Sequence, residues 1–325
     1  MEALFYPFKC TPILKERLWG GKGLSTILGK PATSQNIGES WEVANLPQGN
    51  SIIANGAHKG KRLDELLSSF AEAILGPTSL DRFGSEMPLL IKFIDASHKL
   101  SVQLHPDDKL AQELHQEARG KTEMWYVLKA QKGAHIIAGF KVDMNAKKFK
   151  EAIDNNTLEE NLNTIPVKEG DAFYISAGLI HAIGAGIVLA EIQQTSDINY
   201  RVHDYNRQQD DGTYRELHLD NACKAIKFKP AEAVQLDYNP EQKGTQELKH
   251  CPFFKTDIVN LNTMNHEIKR DESFTILIAV SGQGTITCDG IDYNISLGET
   301  YILPAHCPAI VVTTSEKLKF LEVYI

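Results

Sequence analysis

The sequence predicts a mainly β protein in which two jelly-roll barrels follow one another in tandem, with a few helices added. Most apolar segments are short, rich in β-branched or aromatic residues and bounded by turn residues. The clearest of them before the C-terminal part are 89–94, 124–128, 135–138, 172–175 and 187–192. Short strands at close spacing favour a barrel or sandwich over an alternation of strands and helices.

A weak internal repeat supports the presence of two related barrels. Residues 170–178 and 298–306 both begin with a turn glycine, continue with an acid and an aromatic strand, and end in a loop. The polar segment 239–244 contains Pro and Gly and is the best candidate for a linker. We therefore predict an N-terminal catalytic domain with helical segments over 1–238, and a smaller C-terminal β domain over 239–325.

The C-terminal part has the pattern of a meander of short strands. Its predicted strands are 274–280, 285–288, 291–295, 299–303, 309–313 and 318–325. Residues 281–284, Ser-Gly-Gln-Gly, are expected to form a turn between the first two of these strands. Asp289 and Gly290 form the dipeptide that is typical of a tight β-hairpin.

Three segments are predicted to be helical. Residues 63–75 carry apolar side chains at helical spacing. Residues 107–117 follow Pro106 and begin with Asp107 and Asp108, which suit the positive end of a helix. Residues 147–155 form the third helix, with a shorter one expected around Leu158.

Composition and charge exclude several classes of function. The chain has 325 residues, 42% of them hydrophobic and 23% charged, with a formal net charge of -8. An acidic chain is a poor match for nucleic acid, although a small anion can still bind in a local cationic pocket. Five cysteines without a CxxC pair argue against a disulfide framework and a thiolate zinc site. With no visible secretory signal and no membrane-spanning run, we expect a soluble cytoplasmic protein without a membrane partner.

Four residues are candidates for metal ligands. Gln103 and His105 lie two apart in a predicted strand that Pro106 ends, so their side chains share one face. Glu123 begins a later strand, and His181 lies in a glycine-bounded loop. Taken singly, each residue has a simpler interpretation. Gln103 and His105 would form an ordinary polar strand face, Glu123 would be a surface glutamate, and His181 would be a core histidine. Together they supply nitrogen and oxygen donors without thiolate, which suits a catalytic divalent ion.

A second polar cluster follows His181 in the chain. Glu191 and Gln193 are expected to face one side of a strand, and Arg201 lies ten residues after Glu191. Arg201 can reach the same cavity as the metal ligands. Without the metal motif, an exposed ion pair or a loop arginine would be the better interpretation.

These segments resemble the type I mannose-6-phosphate isomerases. The matching pieces occur in the order found in that family and cover about the first two-thirds of the chain. They are 18–22 (LWGGK), 38–42 (GESWE), 100–107 (LSVQLHPD), 121–124 (KTEM), the loop 178–184, and 191–201. The chain lacks the large helical insertion of the longer members, and in this it is similar to the short bacterial ones.

The resemblance implies a cupin-type fold, a function and a set of site residues. Gln103, His105, Glu123 and His181 match the ligands of one metal ion, usually zinc. Arg201 matches the arginine regarded as catalytic, Glu191 and Lys121 match polar pocket residues, and Ser101 is expected to contact substrate. The implied reaction interconverts mannose 6-phosphate and fructose 6-phosphate through a metal-stabilised cis-enediolate.

Roles within that reaction follow from charge. Glu191 is the simplest candidate base, with a pKa raised if the pocket is dry. Arg201 adds positive charge beside the enediolate, and Lys121 and Arg201 are expected to bind the substrate phosphate.

Two other functions stay open at this point. An iron-dependent dioxygenase on the same fold would favour more imidazole ligands or two His with one carboxylate, and Gln103 as a fourth ligand argues against it. A non-enzymatic sugar-binding regulator would need neither a base nor Arg201. Turnover of mannose 6-phosphate that a chelator blocks would distinguish these alternatives.

Overall fold

The computed structural model describes residues 4–32, 34–209, 211–230, 233–268 and 272–325. Up to residue 238 the strands are β1 (Phe8–Thr11), β2 (Ile13–Gly21), β3 (Ile37–Val43), β4 (Asn45–Leu46), β5 (Gly49–Asn50), β6 (Ile52–Ile53), β7 (Leu89–Ala96), β8 (Val102–Leu104), β9 (Glu123–Ala130), β10 (His135–Phe140), β11 (Leu162–Pro166), β12 (Ala172–Ile175), β13 (His181–Ile183), β14 (Ile187–Gln194), β15 (Tyr200–His203) and β16 (Gln235–Leu236).

The remaining strands are β17 (Gly244–His250), β18 (Lys255–Asn262), β19 (Asn265–Glu267), β20 (Thr275–Cys288), β21 (Ile291–Ser296), β22 (Thr300–Leu303), β23 (Ile310–Thr313) and β24 (Lys317–Tyr324). The helices are α1 (Gly23–Thr26), α2 (Leu63–Leu75), α3 (Pro77–Phe83), α4 (Asp108–His115), α5 (Ala146–Asp154) and α6 (Leu219–Ala225), with a 3-10 turn at Glu159–Asn161. The predicted mainly β fold with added helices is confirmed.

Two antiparallel sheets form the sandwich that holds the candidate site. One has the order β16-β12-β9-β14-β7-β3-β2, and the other has the order β11-β10-β13-β8-β15. Apolar side chains from both sheets, among them Trp125, Phe173, Leu189 and Ile136, pack in one buried cluster. Strands β7 and β14 are buried along their whole length, because the sheet they share is covered on both faces.

The C-terminal strands form a third sheet, which the first strand of the chain joins. Its main order is β17-β18-β24-β20-β22-β1-β6, while β19, β21 and β23 pair beside β20. Strand β1 pairs with β22 through Phe8 and Ile302, so N-terminal residues complete the C-terminal sheet. The division into domains over 1–238 and 239–325 stays a prediction. Strand β1 belongs to the first of these segments but pairs with a strand of the second.

The internal repeat corresponds to a shared turn. Gly170 and Gly298 both have positive φ, and each is followed by an acid whose carboxylate caps the turn. Asp171 accepts a hydrogen bond from the backbone N–H of Lys168 at 2.9 Å, and Glu299 accepts one from Ser296 at 2.8 Å. Strands β12 and β22 then begin at equivalent positions, two residues after the turn glycine, which explains the internal repeat in the sequence.

The turn predicted at 281–284 is wrong, because β20 runs unbroken through these residues. Gly282 has φ +74°, and the pairing of β20 with β24 shifts register between Ala279 and Ser281. The glycines therefore form a β-bulge that bends the strand toward a new set of partners, rather than reversing it. The hairpin at Asp289 and Gly290 is confirmed, since both residues have positive φ between β20 and β21.

The three predicted helices are confirmed as α2, α4 and α5, and the short one near Leu158 is the 3-10 turn. Asp107 is the N-cap of α4 and accepts a hydrogen bond from the backbone N–H of Leu110. Helices α1, α3 and α6 were not predicted, because segments of four to seven residues carry little periodic signal. In the part of the chain that the structure describes, no helix is long and apolar enough to span a membrane.

Candidate active site and metal centre

Three of the four predicted metal ligands meet at the end of the sandwich. His105 follows β8, Glu123 begins β9 and His181 begins β13, which pairs with β8 through Gln103. One donor atom from each of the three lies within 4.8 Å of the others. His105 Nε2 is 3.7 Å from Glu123 Oε2, and His181 Nε2 is 3.4 Å from Glu123 Oε1. All three side chains are buried, so the cluster is shielded from bulk water.

Backbone carbonyls orient both imidazole rings toward the centre of the cluster. His105 Nδ1 lies 3.0 Å from Ile198 O, and His181 Nδ1 lies 2.9 Å from Leu179 O. A protonated Nδ1 that donates to each carbonyl leaves the Nε2 lone pair directed at the shared centre. Burial lowers the pKa of His105 and of His181, with the Lys121 charge also lowering that of His105. Both rings are thus held in the neutral form that binds metals.

The same cluster has buried atoms without a hydrogen-bond partner among the described residues. They are His105 Nε2, His181 Nε2 and Glu123 Oε2. Leaving such groups unpaired in the interior is costly, and a cation at their centre would satisfy all three. Two imidazole nitrogens and a carboxylate are a donor set that suits zinc and related divalent ions. The residues present therefore fit a metal ion.

A cavity of about 300 Å³ opens beside this cluster. Among the residues that line it are six predicted site residues, namely Ser101, Gln103, Lys121, His181, Glu191 and Arg201. The other charged side chains of the lining are Arg17, Glu39, Lys92, Asp197 and Arg215. The lining has five Lys or Arg and three Asp or Glu, so cations exceed acids in an acidic protein. Such a local excess suits an anionic ligand.

Glu191 forms a buried ion pair with Lys92, a residue that the sequence analysis missed. Lys92 Nζ is 3.1 Å from Glu191 Oε2, and both side chains are 4% exposed. Trp125 Nε1 donates to Glu191 Oε1 at 3.1 Å, and Lys92 also donates to Gln193 Oε1 at 2.9 Å. Glu191 and Gln193 thus share one strand face, as predicted. Burial disfavours the charged lysine, but Glu191 and Glu39 outweigh burial and raise the pKa of Lys92.

Lys121 lies close to the metal cluster rather than at the outer rim. Its Nζ is 3.4 Å from Glu123 Oε2 and 3.3 Å from Asn199 Oδ1, and the side chain is buried. An ammonium group at this position can donate to substrate oxygens near the metal. Its position is less suited to a phosphate at the far end of a six-carbon sugar.

Three arginines lie around one buried carboxylate, and two of them, Arg201 and Arg215, line the cavity. Asp204 accepts hydrogen bonds from Arg207 at 2.6 Å and from Arg215 at 2.5 and 2.8 Å. Arg201 donates through Nη1 to Glu216 O at 2.7 Å, while its buried Nε has no partner within the described ranges. Burial and the charge of Arg215 lower the pKa of Arg201. Three guanidinium groups around Asp204 leave positive charge for an anion to neutralise.

Glu39 also lines the cavity and is fixed by three hydrogen bonds. Its carboxylate accepts two hydrogen bonds from Arg17, at 3.1 and 3.0 Å, and one from Trp41 Nε1 at 2.8 Å. Burial would raise the pKa of Glu39, but the charges of Lys92 and Arg17 lower it to about 2. The segment 38–42 had been noted in the sequence, yet no role could be given to Glu39 until its partners on β2 and β7 were known.

Comparisons with known proteins found two matching family models and several similar proteins. Residues 7–138 match the model of the phosphomannose isomerase type I catalytic domain, and residues 244–324 match the mannose-6-phosphate isomerase cupin domain. The chain is 35% identical over 292 residues to the mannose-6-phosphate isomerase of Streptococcus mutans, covering 90% of each protein. It is 35% identical over 306 residues to mannose-6-phosphate isomerase ManA of Bacillus subtilis, covering 93% of each. A crystal structure of the mannose 6-phosphate isomerase from Bacillus subtilis superimposes with a TM-score of 0.89 at 31% identity, covering 98% of this chain and 99% of that one.

Proposed function

This chain belongs to the type I phosphomannose isomerase family and interconverts mannose 6-phosphate and fructose 6-phosphate, and we propose that it does so with one zinc ion held by Gln103, His105, Glu123 and His181. The observation that carries the metal proposal is the buried cluster of three donors whose facing atoms lack partners among the described residues. Gln103 lines the cavity beside His181 and is proposed as the fourth ligand. Family membership favours the isomerase over the dioxygenase and the regulator.

The isomerisation moves a proton between C2 and C1 of the open-chain sugar. When bound, a zinc ion supplies Lewis acidity that polarises the substrate carbonyl. We assign Glu191 as the base that takes the C2 proton and returns it to C1, by way of a cis-enediolate. Lys92 and Trp125 stabilise its carboxylate and hold it at the cavity wall. The buried pair keeps the base in a fixed position, which favours proton transfer over a short distance.

Positive charge on this chain stabilises the oxygen charge of the enediolate. Arg201 has an unpartnered buried Nε among the described residues and lines the cavity, so it can donate there without losing an existing bond. Lys121 is placed to donate to substrate near the metal cluster. Ser101 is buried in the lining and offers a hydroxyl to a sugar oxygen.

The substrate phosphate is proposed to bind where two arginines line the cavity. Arg215 and Arg201 both line it, and Asp204 holds Arg215 through two hydrogen bonds. A planar guanidinium binds phosphate oxygens in a bidentate manner, and a phosphate would relieve repulsion among the three cations. Relative to the sequence analysis, this shifts phosphate binding from Lys121 toward Arg215. A cytoplasmic location stays a prediction.

The metal proposal is tested by elemental analysis together with turnover of mannose 6-phosphate. The purified protein is expected to contain one zinc per chain, to lose activity with a chelator and to regain it with zinc. Glu123→Gln removes a ligand charge with little change in shape, and it should lose both metal and activity. Glu113→Gln, an exposed-face control in helix α4, should keep both. Retention of full zinc by Glu123→Gln would contradict the ligand assignment.

The Arg201 proposal is tested by steady-state kinetics of Arg201→Ala with its zinc content confirmed. If Arg201 stabilises the transition state, kcat should fall by on the order of 100- to 1000-fold. If it only holds the phosphate, KM should rise while kcat stays near normal. A variant with intact metal and near-normal kcat would remove Arg201 from the catalytic residues.

A further inference from the structure

A second cavity, of about 1120 Å³, lies between the N-terminal segment and the turns of the C-terminal sheet. It is lined by residues of β1, of the segment after α1, and of the turns that precede β19, β22 and β24. Clefts between two structural units are common places for small-molecule sites, and this volume exceeds what a monosaccharide requires.

This cavity lies on the opposite face of a sheet from the active site. Glu39 and Glu42 are both on β3, three residues apart, so their side chains point to opposite faces. Glu39 lines the active-site cavity and Glu42 lines the second one. On β7, Lys92 contacts Glu191 in the active site, whereas Phe93 packs under Lys30 at the second cavity. The two cavities therefore use different residues and can be occupied independently.

Buried polar groups face the second cavity. Lys30 Nζ and Glu42 Oε2 are 2.7 Å apart, with side chains 8% and 4% exposed, and Ser40 donates to the other oxygen of Glu42 at 2.6 Å. Lys9 and Glu299 form another ion pair in the lining. Thr300 is 5% exposed, and its hydroxyl has no hydrogen-bond partner in the described part of the chain. Thr300 belongs to the cavity wall next to Glu299, and its hydroxyl has unused hydrogen-bonding capacity there.

The charge balance of the lining identifies the kind of ligand. Three lysines, Lys9, Lys30 and Lys317, are matched by three glutamates, Glu42, Glu299 and Glu316, so the lining is neutral overall. A phosphate would meet no surplus of cations here, unlike in the active site. A wholly apolar ligand would strip water from two ion pairs without replacing its hydrogen bonds. Hydroxyl groups can both accept from lysine and donate to glutamate, so a neutral polyol satisfies both members of each pair.

We propose that this cavity is a second binding site, for a neutral carbohydrate of mono- or disaccharide size. The ligand contacts the Lys30–Glu42 and Lys9–Glu299 pairs and donates to or accepts from the Thr300 hydroxyl. The site selects against sugar phosphates by its neutral lining, whereas the active site selects for them by its excess of cations.

The test is saturation-transfer NMR on the full chain with methyl α-D-mannopyranoside, a neutral glycoside that has no free carbonyl and cannot be isomerised. Fructose 6-phosphate is added at saturating concentration to occupy the active site. Saturation transfer to the glycoside is expected to persist under these conditions. Thr300→Val should weaken binding about tenfold, as expected for one lost hydrogen bond. Gln283→Trp, which fills the rim of the cavity, should abolish the signal.

Thr256→Val is the matched control. Thr256 is also a buried threonine whose hydroxyl lacks a partner among the described residues, but it does not line the cavity. This variant should bind the glycoside as the unaltered chain does. Absence of saturation transfer, its loss on adding fructose 6-phosphate, or equal weakening by Thr256→Val would each overturn the proposal.

Discussion

Replacing Glu39 by Gln is expected to remove a defined part of the protein's sensitivity to acid. The carboxylate of Glu39 accepts three hydrogen bonds from Arg17 and Trp41, and Lys92 adds a nearby positive charge. These partners outweigh the effect of burial and lower the pKa of Glu39 from its ordinary value of 4.5 to about 2. Glutamine keeps the shape and can accept some of the same hydrogen bonds, but it does not titrate.

The sign and size of the effect follow from proton linkage. Because the pKa of Glu39 is lower in the folded state, the unfolded chain binds the proton first as the pH falls. The stabilisation by Glu39 is therefore complete above the unfolded pKa and is lost as the pH falls toward the folded one. Between pH 7 and pH 3 the loss amounts to about 2 kcal/mol, from a folded pKa of about 2 and an unfolded pKa of 4.5. The side chain is only 12% exposed, so solvent screening removes little of it.

The assay is urea unfolding of the unaltered chain and of Glu39→Gln at pH 7, 5 and 3. Both proteins are kept metal-free with a chelator, because acid also releases metals from histidine and carboxylate ligands. The fall in the free energy of unfolding between pH 7 and pH 3 should be about 2 kcal/mol smaller in the variant. Glu16→Gln is the control, since Glu16 is exposed on the neighbouring strand. If both variants show the same pH dependence as the unaltered chain, the contacts of Glu39 do not hold it ionised and the reasoning fails.

Three further changes test the phosphate site and the fold. Arg215→Ala is expected to raise KM for mannose 6-phosphate about 10- to 100-fold, with a smaller effect on kcat. This is the size expected for the loss of one charged hydrogen-bonding group. An unchanged KM in steady-state kinetics would refute the role of Arg215 in phosphate binding. Gly282→Ala should lower the free energy of unfolding by about 2 kcal/mol or more, because a Cβ there would lie 1.9 Å from Lys317 O at φ +74°. Gly290→Ala, with a similar φ but open space around it, should cost less in the same unfolding assay, and equal costs would contradict this account. Asp107→Ala removes the N-cap of α4 and should cost about 1 kcal/mol in thermal or urea unfolding, whereas no loss would show that the cap bond is not stabilising.

Much of the fold and of the metal site could be predicted from local sequence pattern. Helix α2 and strand β12 have the predicted bounds, because a long amphipathic run and a short aromatic run between turn residues each favour one structure. The pair Gln103 and His105 before Pro106 indicated the position of the metal cluster, although the strand ends at Leu104, one residue before His105. His105, Glu123 and His181 were identified because each follows or begins a strand and the resemblance supplied their order.

The tertiary structure alone decided which charges face one another. Lys92 lies in a largely apolar strand and carries no motif of its own, and only the pairing of β7 with β14 places it against Glu191. Arg215 lies in a segment without periodicity, and its position depends on Asp204, eleven residues earlier in the chain. The bulge at Gly282 was mistaken for a turn because glycine permits both, and the choice depends on the neighbouring strand β24. Periodicity reports how each segment folds by itself, whereas electrostatic partners are set by long-range strand pairing, which local sequence does not encode.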